Sequence, residues 1–98
     1  MGCSVVSVGG EALVTLEGVV DLAMAPLVRY ELVELFNERH HRIVVDLTEV
    51  LGIDEAAVAL LAGAASHARR RNVELVLLLP GPLPVVVSDP VQVRSLFD

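Results

Sequence analysis

One stretch of the chain, from Ile43 to Leu61, most strongly constrains the fold. It begins with a β-branched and aliphatic run that only Asp46 interrupts, and it passes through a short acidic turn into a helix with almost no charge. Because the run lacks polar alternation, it predicts a strand buried on both faces of a parallel or mixed sheet. Asp54 and Glu55 begin the helix and Arg69–Arg71 end it, which matches each charge to the helix dipole.

The first half of this helix is apolar on two sides. At about 3.6 residues per turn, one stripe is suited to covering the sheet. That stripe comprises Ala57, Val58, Leu61, Ala64, Ala65 and Ala68. A second stripe comprises Ala56, Ala59, Leu60 and Gly63. In a two-layer domain the second stripe faces water, so it is a candidate docking surface for another protein. Two plainer interpretations stay open: a neighbouring helix covers the stripe, or small apolar residues are tolerated outside.

The sequence VVDLTEVLGIDEAAVALL resembles the signature of STAS domains, best known as bacterial anti-sigma factor antagonists. The family pattern is a hydrophobic strand ending in Asp-Leu-Ser, followed by Asp-Ser-Ser-Gly at the start of a helix. Asp46-Leu47-Thr48 and Ile53-Asp54 fit this pattern, whereas Glu55-Ala56-Ala57 replaces Ser-Ser-Gly. The second serine is the family's regulatory phosphoacceptor. Its position is Ala56 here, and alanine has no hydroxyl to phosphorylate.

Length, charge and cysteine content narrow the class of protein. The 98 residues predict one domain, residues 1–98, and no apolar run reaches the roughly 18 residues of a membrane span, so we expect no membrane insertion. A net charge of −6 disfavours nucleic acid and anionic membrane surfaces. The single Cys3 excludes an internal disulfide, and with no signal-peptide pattern it is compatible with a cytoplasmic protein.

The N-terminal part predicts a hairpin followed by a helix. Ser4–Val8 and Ala12–Gly18 read as strands joined by Gly9-Gly10, a pair that supplies the positive φ angles of a tight turn, and the hairpin should lie against the central strand. The first helix begins around Met24–Pro26, because proline suits a first helical turn. Family members often have a capping Thr or Ser where Met24 lies, and Asp21 is the candidate to compensate by starting a looser turn.

The C-terminal part completes the predicted sheet. Val73–Leu79 reads as a strand that runs parallel to the strand beginning at Ile43, because a helix connects the two. Pro80, Gly81, Pro82 and Pro84 exclude regular structure, Val85–Val87 reads as a short edge strand, and Ser88-Asp89-Pro90 starts a last helix over Val91–Phe97. The elements predict a small two-layer α/β (α+β) fold like that of STAS domains, with a mixed central β-sheet and helices packed on one face.

Catalytic chemistry is not visible in the sequence. The histidines have no recognisable metal-ligand spacing, so we expect no metal site at His40, His41 and His67. The carboxylates near the turn could shift one another's pKa, but a cap, a dipole partner and a strand-end acceptor are the plainer roles of Asp54, Glu55 and Asp46. With no nucleophile–base pair and no phosphate-binding loop, the sequence predicts no enzyme and no cofactor.

The resemblance implies a protein–protein interaction module that binds an anti-sigma factor of the histidine-kinase-like class and so frees a sigma factor. In this family the partner docks around the start of the second helix and the adjoining loops. The corresponding positions are Asp21, Thr48, Asp54, Glu55, Ala56, Ala59 and Leu60. The second apolar stripe points to the same location independently. A homodimer is also compatible with the sequence.

The alanine at position 56 leaves two consequences open. The protein binds its partner without phosphorylation control, or Glu55 mimics the phosphorylated, non-binding state. We favour the first, because neighbouring helix positions point about 100° apart and Glu55 carries a single charge. The alternative function is a STAS subunit or sensor of another assembly, such as a lipid-transport ATPase, a stressosome-like scaffold or a small-ligand sensor, since such modules need not retain the serines.

Overall fold

The structure, a computed structural model, describes residues 2–81 and 84–97. Its elements in chain order are β1 (Gly2–Val8), β2 (Glu11–Val20), α1 (Ala25–Asn37), β3 (Arg42–Ile53), α2 (Glu55–Arg71), β4 (Glu74–Leu78), β5 (Pro84–Val87) and α3 (Pro90–Leu96). The strands form one five-stranded sheet in the order β1-β2-β3-β4-β5. The three central strands are parallel and the two outer pairings are antiparallel. The predicted fold class, including the parallel βαβ unit, is confirmed.

The helices share one core with one face of the sheet. Along β2, Ala12, Val14 and Leu16 are buried while Leu13 and Glu17 are exposed, because alternate side chains of a strand point to opposite faces of the sheet. The first stripe of α2 is buried throughout, which confirms its predicted role as the cover of the sheet. Burial of these aliphatic side chains supplies the main driving force for folding.

The central strand β3 is fully buried on only one face, so the expectation of burial on both faces is wrong. Ile43, Val45 and Leu47 are buried beneath the helices, whereas Val44 and Asp46 on the other face are half-buried. The reason is the one-sided placement of the helices: side chains on the outer face are shielded mainly by their cross-strand neighbours. A continuous aliphatic run therefore overstated the burial of this strand.

The predicted acidic turn after Leu47 is also wrong, because β3 continues to Ile53. Strand β2 pairs with this extension through Gly18–Val50 and Val20–Ile53, with register shifts that accommodate the irregular stretch. Gly18 has a positive φ of 85°, which a glycine tolerates without strain. Pairing with β2 holds this stretch in an extended conformation, and sequence periodicity does not report such pairing.

The turns and the last helix largely follow the sequence. Gly9 and Gly10 have φ angles of 60° and 83° and join β1 to β2, as predicted. Asp89 caps α3 by accepting a hydrogen bond from the backbone N–H of Gln92 at 2.8 Å. Pro84, predicted to be irregular, is the first residue of the edge strand β5, where a missing N–H is tolerated. Pro82 lies outside the described residues.

Candidate partner-binding site

Asp54 joins the start of α2 to the loop that precedes α1. Its Oδ1 accepts a hydrogen bond from the backbone N–H of Ala57 at 3.0 Å, which makes it the N-cap of α2. Its Oδ2 accepts a second bond from the backbone N–H of Leu22, also at 3.0 Å. The backbone N–H of Asp54 donates to the carbonyl of Val20 at 3.2 Å. This one residue therefore ties the start of α2 to the loop before α1 through its side chain and to the end of β2 through its backbone.

Asp21 accepts hydrogen bonds at the start of α1, where the side chain of Met24 cannot cap the helix. Its Oδ1 accepts bonds from the backbone N–H groups of Ala23 and Met24, both at 3.1 Å, and its carbonyl accepts from Met24 and Ala25 at 3.0 and 2.9 Å. The side chain of Met24 is buried in the core instead of capping the helix. The looser turn considered from the sequence is therefore present, and it places the loop at Leu22 beside α2.

An apolar groove of about 660 Å³ runs between α1 and α2. All four residues of the second α2 stripe line it. Ala59 and Gly63 are exposed and Ala56 and Leu60 are half-buried, so α1 shields one side of the stripe without sealing it. The wall from α1 and its preceding loop includes Leu22, Ala25, Pro26, Arg29, Leu32, Val33 and Phe36. The apolar surface of α2 is one wall of a groove rather than an isolated ridge.

The two ends of the groove differ in charge. Asp54 and Glu55 lie at its helix-N-terminal end, while His67 lines the opposite end, with its ring centroid 4.6 Å from that of Phe36. Partial burial lowers the pKa of His67, and the positive charges of Arg71 and Arg70 lower it further. His67 is therefore mainly neutral at pH 7, which preserves the apolar character of this end.

Glu55 does not line the groove. Its Oε1 accepts a hydrogen bond from Nη1 of Arg94 on α3 at 2.6 Å, and both side chains are largely exposed. Exposed ion pairs contribute little to stability, but this one directs the carboxylate toward α3. The sequence did not reveal Arg94 as a partner, because the two residues are 39 positions apart and only the packing of α3 against α2 brings them together.

Thr48 lies apart from the groove, within the extension of β3. Its backbone N–H and its hydroxyl both donate to Oδ1 of Asp46, at 2.9 and 2.7 Å, so the carboxylate acts as the strand acceptor expected from the sequence. Of the predicted partner-binding residues, Ala56, Ala59 and Leu60 line the groove. Asp21 and Asp54 position its helix-N-terminal end. Thr48 and Glu55 lie outside the lining.

The α1 wall of this groove was not predicted from the sequence. Pro26, Arg29 and Val33 recur at helical spacing on a face of α1 adjacent to its core face. Leu22 and Val33 are exposed aliphatic residues on that wall. This spacing is visible in the sequence as a second stripe on α1, of the same kind as the second stripe on α2.

Within residues 2–81 and 84–97, no group of three or more His, Cys, Asp and Glu side chains could hold a metal ion. Across the same residues, no helix combines the length and the hydropathy needed to cross a membrane.

Comparison with known proteins places the chain in a family. A family model described as "Mlab, STAS domain" matches residues 3–88. The chain therefore belongs to the STAS-domain family, whose fold is a regulatory protein-interaction fold. No curated protein has a significantly similar sequence.

Solved structures share this fold at low sequence identity. The anti-sigma factor antagonist SpoIIAA in its unphosphorylated form is 16% identical, with a TM-score of 0.74 over 98% of this chain and 81% of that chain. The phosphorylated form of this Bacillus cell fate determinant gives 16% identity and a TM-score of 0.73 over 98% and 80% of the two chains. An antisigma-factor antagonist STAS domain from Rhodobacter sphaeroides is 22% identical, with a TM-score of 0.66 over 81% and 85%. These likenesses establish the fold alone.

Proposed function

We propose that this STAS domain acts like an anti-sigma factor antagonist in bacterial transcription regulation. It docks a histidine-kinase-like anti-sigma factor on the groove between α1 and α2, in the cytoplasm, and has no catalytic role of its own. The observation that carries the proposal is the open apolar groove, with Ala56, at the family's phosphoacceptor position, among the residues that line it. Contiguous apolar surface of this kind marks protein interaction sites.

Position 56 decides how docking is controlled. A phosphate at this position would place about −1.5 to −2 charges beside an apolar contact, where desolvation and repulsion oppose binding. Ala56 cannot accept one, so docking is independent of phosphorylation there. The ion pair with Arg94 supports this view, because it compensates the charge of Glu55 outside the groove lining. Glu55 is therefore a poor mimic of a phosphate in the contact.

Affinity capture from native cell extract, with the full chain as bait and with or without ATP, tests the proposal. We expect an anti-sigma factor to be recovered, and we expect Ala59→Lys or Leu60→Lys to reduce its recovery at least about tenfold, since each places a charge in an apolar contact. The matched control is Val8→Lys, which changes an exposed valine on β1 outside the groove. Unchanged capture by both groove variants would exclude this surface.

A second experiment tests the missing switch. Incubation with the captured kinase-like partner and ATP should label the Ala56→Ser variant at the start of α2 and leave the unmodified chain unlabelled there. Mass spectrometry of the peptide that contains residues 54–61 locates the phosphate. Labelling of the unmodified chain within this segment would contradict phosphorylation-independent docking.

The alternative is a STAS subunit or sensor in another assembly, such as a lipid-transport ATPase, a stressosome-like scaffold or a small-ligand sensor. The absence of a hydroxyl at Ala56 favours it, because such a role needs no phosphoacceptor. The same capture experiment separates the two functions. Recovery of transporter subunits without an anti-sigma factor, or a co-purified nucleotide or lipid, would support the alternative.

A further inference from the structure

The face of the sheet opposite the helices carries an apolar row that crosses all five strands. Direct cross-strand neighbours form it, and in strand order they are Val6, Leu13, Val44, Val76 and Val86. Val6, Leu13 and Val86 are 58%, 38% and 52% exposed, whereas Val44 on the central strand is half-buried and Val76 on β4 is buried. A continuous row of five aliphatic residues, three of them exposed, is more than the scattered apolar side chains of an ordinary surface.

A charged row flanks this apolar row on one side. Arg42 on β3 lies between Glu11 on β2 and Glu74 on β4, with nitrogen–oxygen distances of 3.5 and 3.2 Å. Neither distance is short, and a guanidinium has five N–H donors, so Arg42 retains capacity for another carboxylate.

A row with the opposite charge at its centre flanks the other side. Asp46 lies two residues beyond Val44 on β3, with Thr15 and Leu78 as its cross-strand neighbours. Both hydrogen bonds that Asp46 accepts within the described residues go to Oδ1, which leaves Oδ2 available. On β3 the face therefore reads positive, apolar, negative.

We propose that a second copy of this chain covers this face in a two-fold symmetric dimer, with the symmetry axis along the apolar row. Rotation about that axis places each exposed aliphatic residue of the row opposite its own counterpart and reverses the strand direction. Arg42 of each copy then faces Asp46 of the other, so the two charges on β3 are self-complementary, as a two-fold interface requires.

The charge pattern also selects this orientation over the other face-to-face arrangement. A two-fold axis along the strands would place Arg42 opposite Arg42 and Asp46 opposite Asp46, because β3 is the middle strand of the sheet. Like charges in such a contact oppose association. The row axis is the arrangement in which the apolar residues and both charges are matched.

The size of the face indicates a reversible dimer. Five strands about 4.8 Å apart and three rows of side chains cover roughly 24 by 20 Å, or about 1,000 Å² over both copies. This is near the lower limit of specific interfaces, so association depends on protein concentration. The groove between α1 and α2 stays open in the dimer, since it lies on the helical side.

Sedimentation equilibrium of the full chain over a wide concentration range tests the dimer. A monomer–dimer equilibrium is expected, with Leu13→Lys weakening it at least about tenfold because the two-fold axis introduces the charge twice. Val86→Lys is a second variant on the edge strand β5, for use if the first does not fold. Leu60→Lys, in the groove, is the control and should dimerise normally. A monomer at every concentration, or a dimer lost only in the groove variant, would overturn the proposal.

Charge exchange tests the orientation. Arg42→Asp alone and Asp46→Arg alone should each dimerise less than the unmodified chain, since each puts like charges face to face. An equimolar mixture of the two variants should recover association, because the heterodimer restores two opposite-charge pairs. If the mixture associates no better than the separate variants, the row-axis arrangement is wrong.

Discussion

At the residue scale, the carboxylates of Asp21 and Asp54 beside the groove accept hydrogen bonds from backbone N–H groups of the chain itself. Asp54 caps α2 and holds the loop at Leu22, and Asp21 opens α1. Both carboxylate oxygens of Asp54 and Oδ1 of Asp21 therefore accept hydrogen bonds within the chain. These bonds position the helix-N-terminal end of the groove, whereas the surface that lines the groove is mainly apolar.

The double role of Asp54 gives a stability prediction. Asp54→Ala removes the cap and the bond to Leu22, so the free energy of unfolding should fall by about 2 kcal/mol. Asp89→Ala is the matched control, because Asp89 caps α3 through a single bond to Gln92 and should cost only about 1 kcal/mol. Urea denaturation followed by circular dichroism measures both. An equal cost for the two variants would mean that the tether at Leu22 contributes nothing.

His67 gives a prediction about pH. Its pKa in the folded protein is lowered by partial burial and by Arg71 and Arg70, so it should lie below the usual value of about 6.5 in an NMR titration. Arg70→Gln or Arg71→Gln should raise this pKa, whereas Arg94→Gln on α3 should not. A pKa at or above the usual value would contradict the arrangement.

The lowered pKa of His67 also makes the stability of the fold depend on pH. Because the folded state holds the His67 proton less tightly than the unfolded state does, protonation favours unfolding. The contribution of His67 to stability is therefore complete above the pKa it has in the unfolded state. This contribution is lost as the pH falls through the lower pKa of the folded state. Because the side chain is only partly buried, the loss should be small, and His67→Gln should remove this part of the pH dependence.

At the element scale, α2 buries one stripe against the sheet and forms a wall of the groove with another. Most residues of that wall are small. Gly63 lies in the middle of the helix, where a glycine is unfavourable, and a Cβ added there would meet no atom within 4 Å. Gly63 is therefore not required by packing within the chain. A glycine here keeps the groove wall low, which suits close approach by a docked protein.

Gly63→Ala should accordingly stabilise the free protein. We expect the free energy of unfolding to rise by about 0.5 to 1 kcal/mol, because alanine has the higher helix propensity. Ser66→Ala, in the same helix and outside the groove lining, is the control, with an expected gain of about half a kcal/mol or less. Urea denaturation measures both variants. A loss of stability in Gly63→Ala would show that the glycine is needed for the fold itself.

At the scale of the whole molecule, the described residues have a radius of gyration of 12.0 Å, close to the roughly 13 Å of a compact 100-residue domain. The helices cover one face of the sheet and leave the other to solvent. The molecule thus presents two apolar surfaces on opposite sides, the groove, which we propose docks a different protein, and the apolar row, which we propose a second copy covers.

Calorimetry tests this organisation. The full chain should unfold in one cooperative transition with an enthalpy of about 70 kcal/mol, as expected for a single domain of this length. Its Tm should rise with protein concentration, because association stabilises the folded state, and the Tm of Leu13→Lys should not. Two separate transitions would contradict the single domain predicted for residues 1–98.

What the sequence determined by itself was local. Caps and terminal charges defined α2 from Glu55 to Arg71, paired glycines defined the hairpin, and strand patterning gave the mixed sheet. It also located half of the groove, since the second α2 stripe is visible in the order of the residues. These features depend on neighbours a few positions apart, which periodicity records.

Tertiary structure alone decided the rest. The extension of β3 to Ile53 depends on pairing with β2, the groove needs α1 beside α2, and the ion pair of Glu55 needs Arg94 from the end of the chain. The apolar row needs the register of five strands. Each of these features brings together residues that are distant in sequence. The free energy of such contacts depends on packing geometry, which no local sequence pattern encodes.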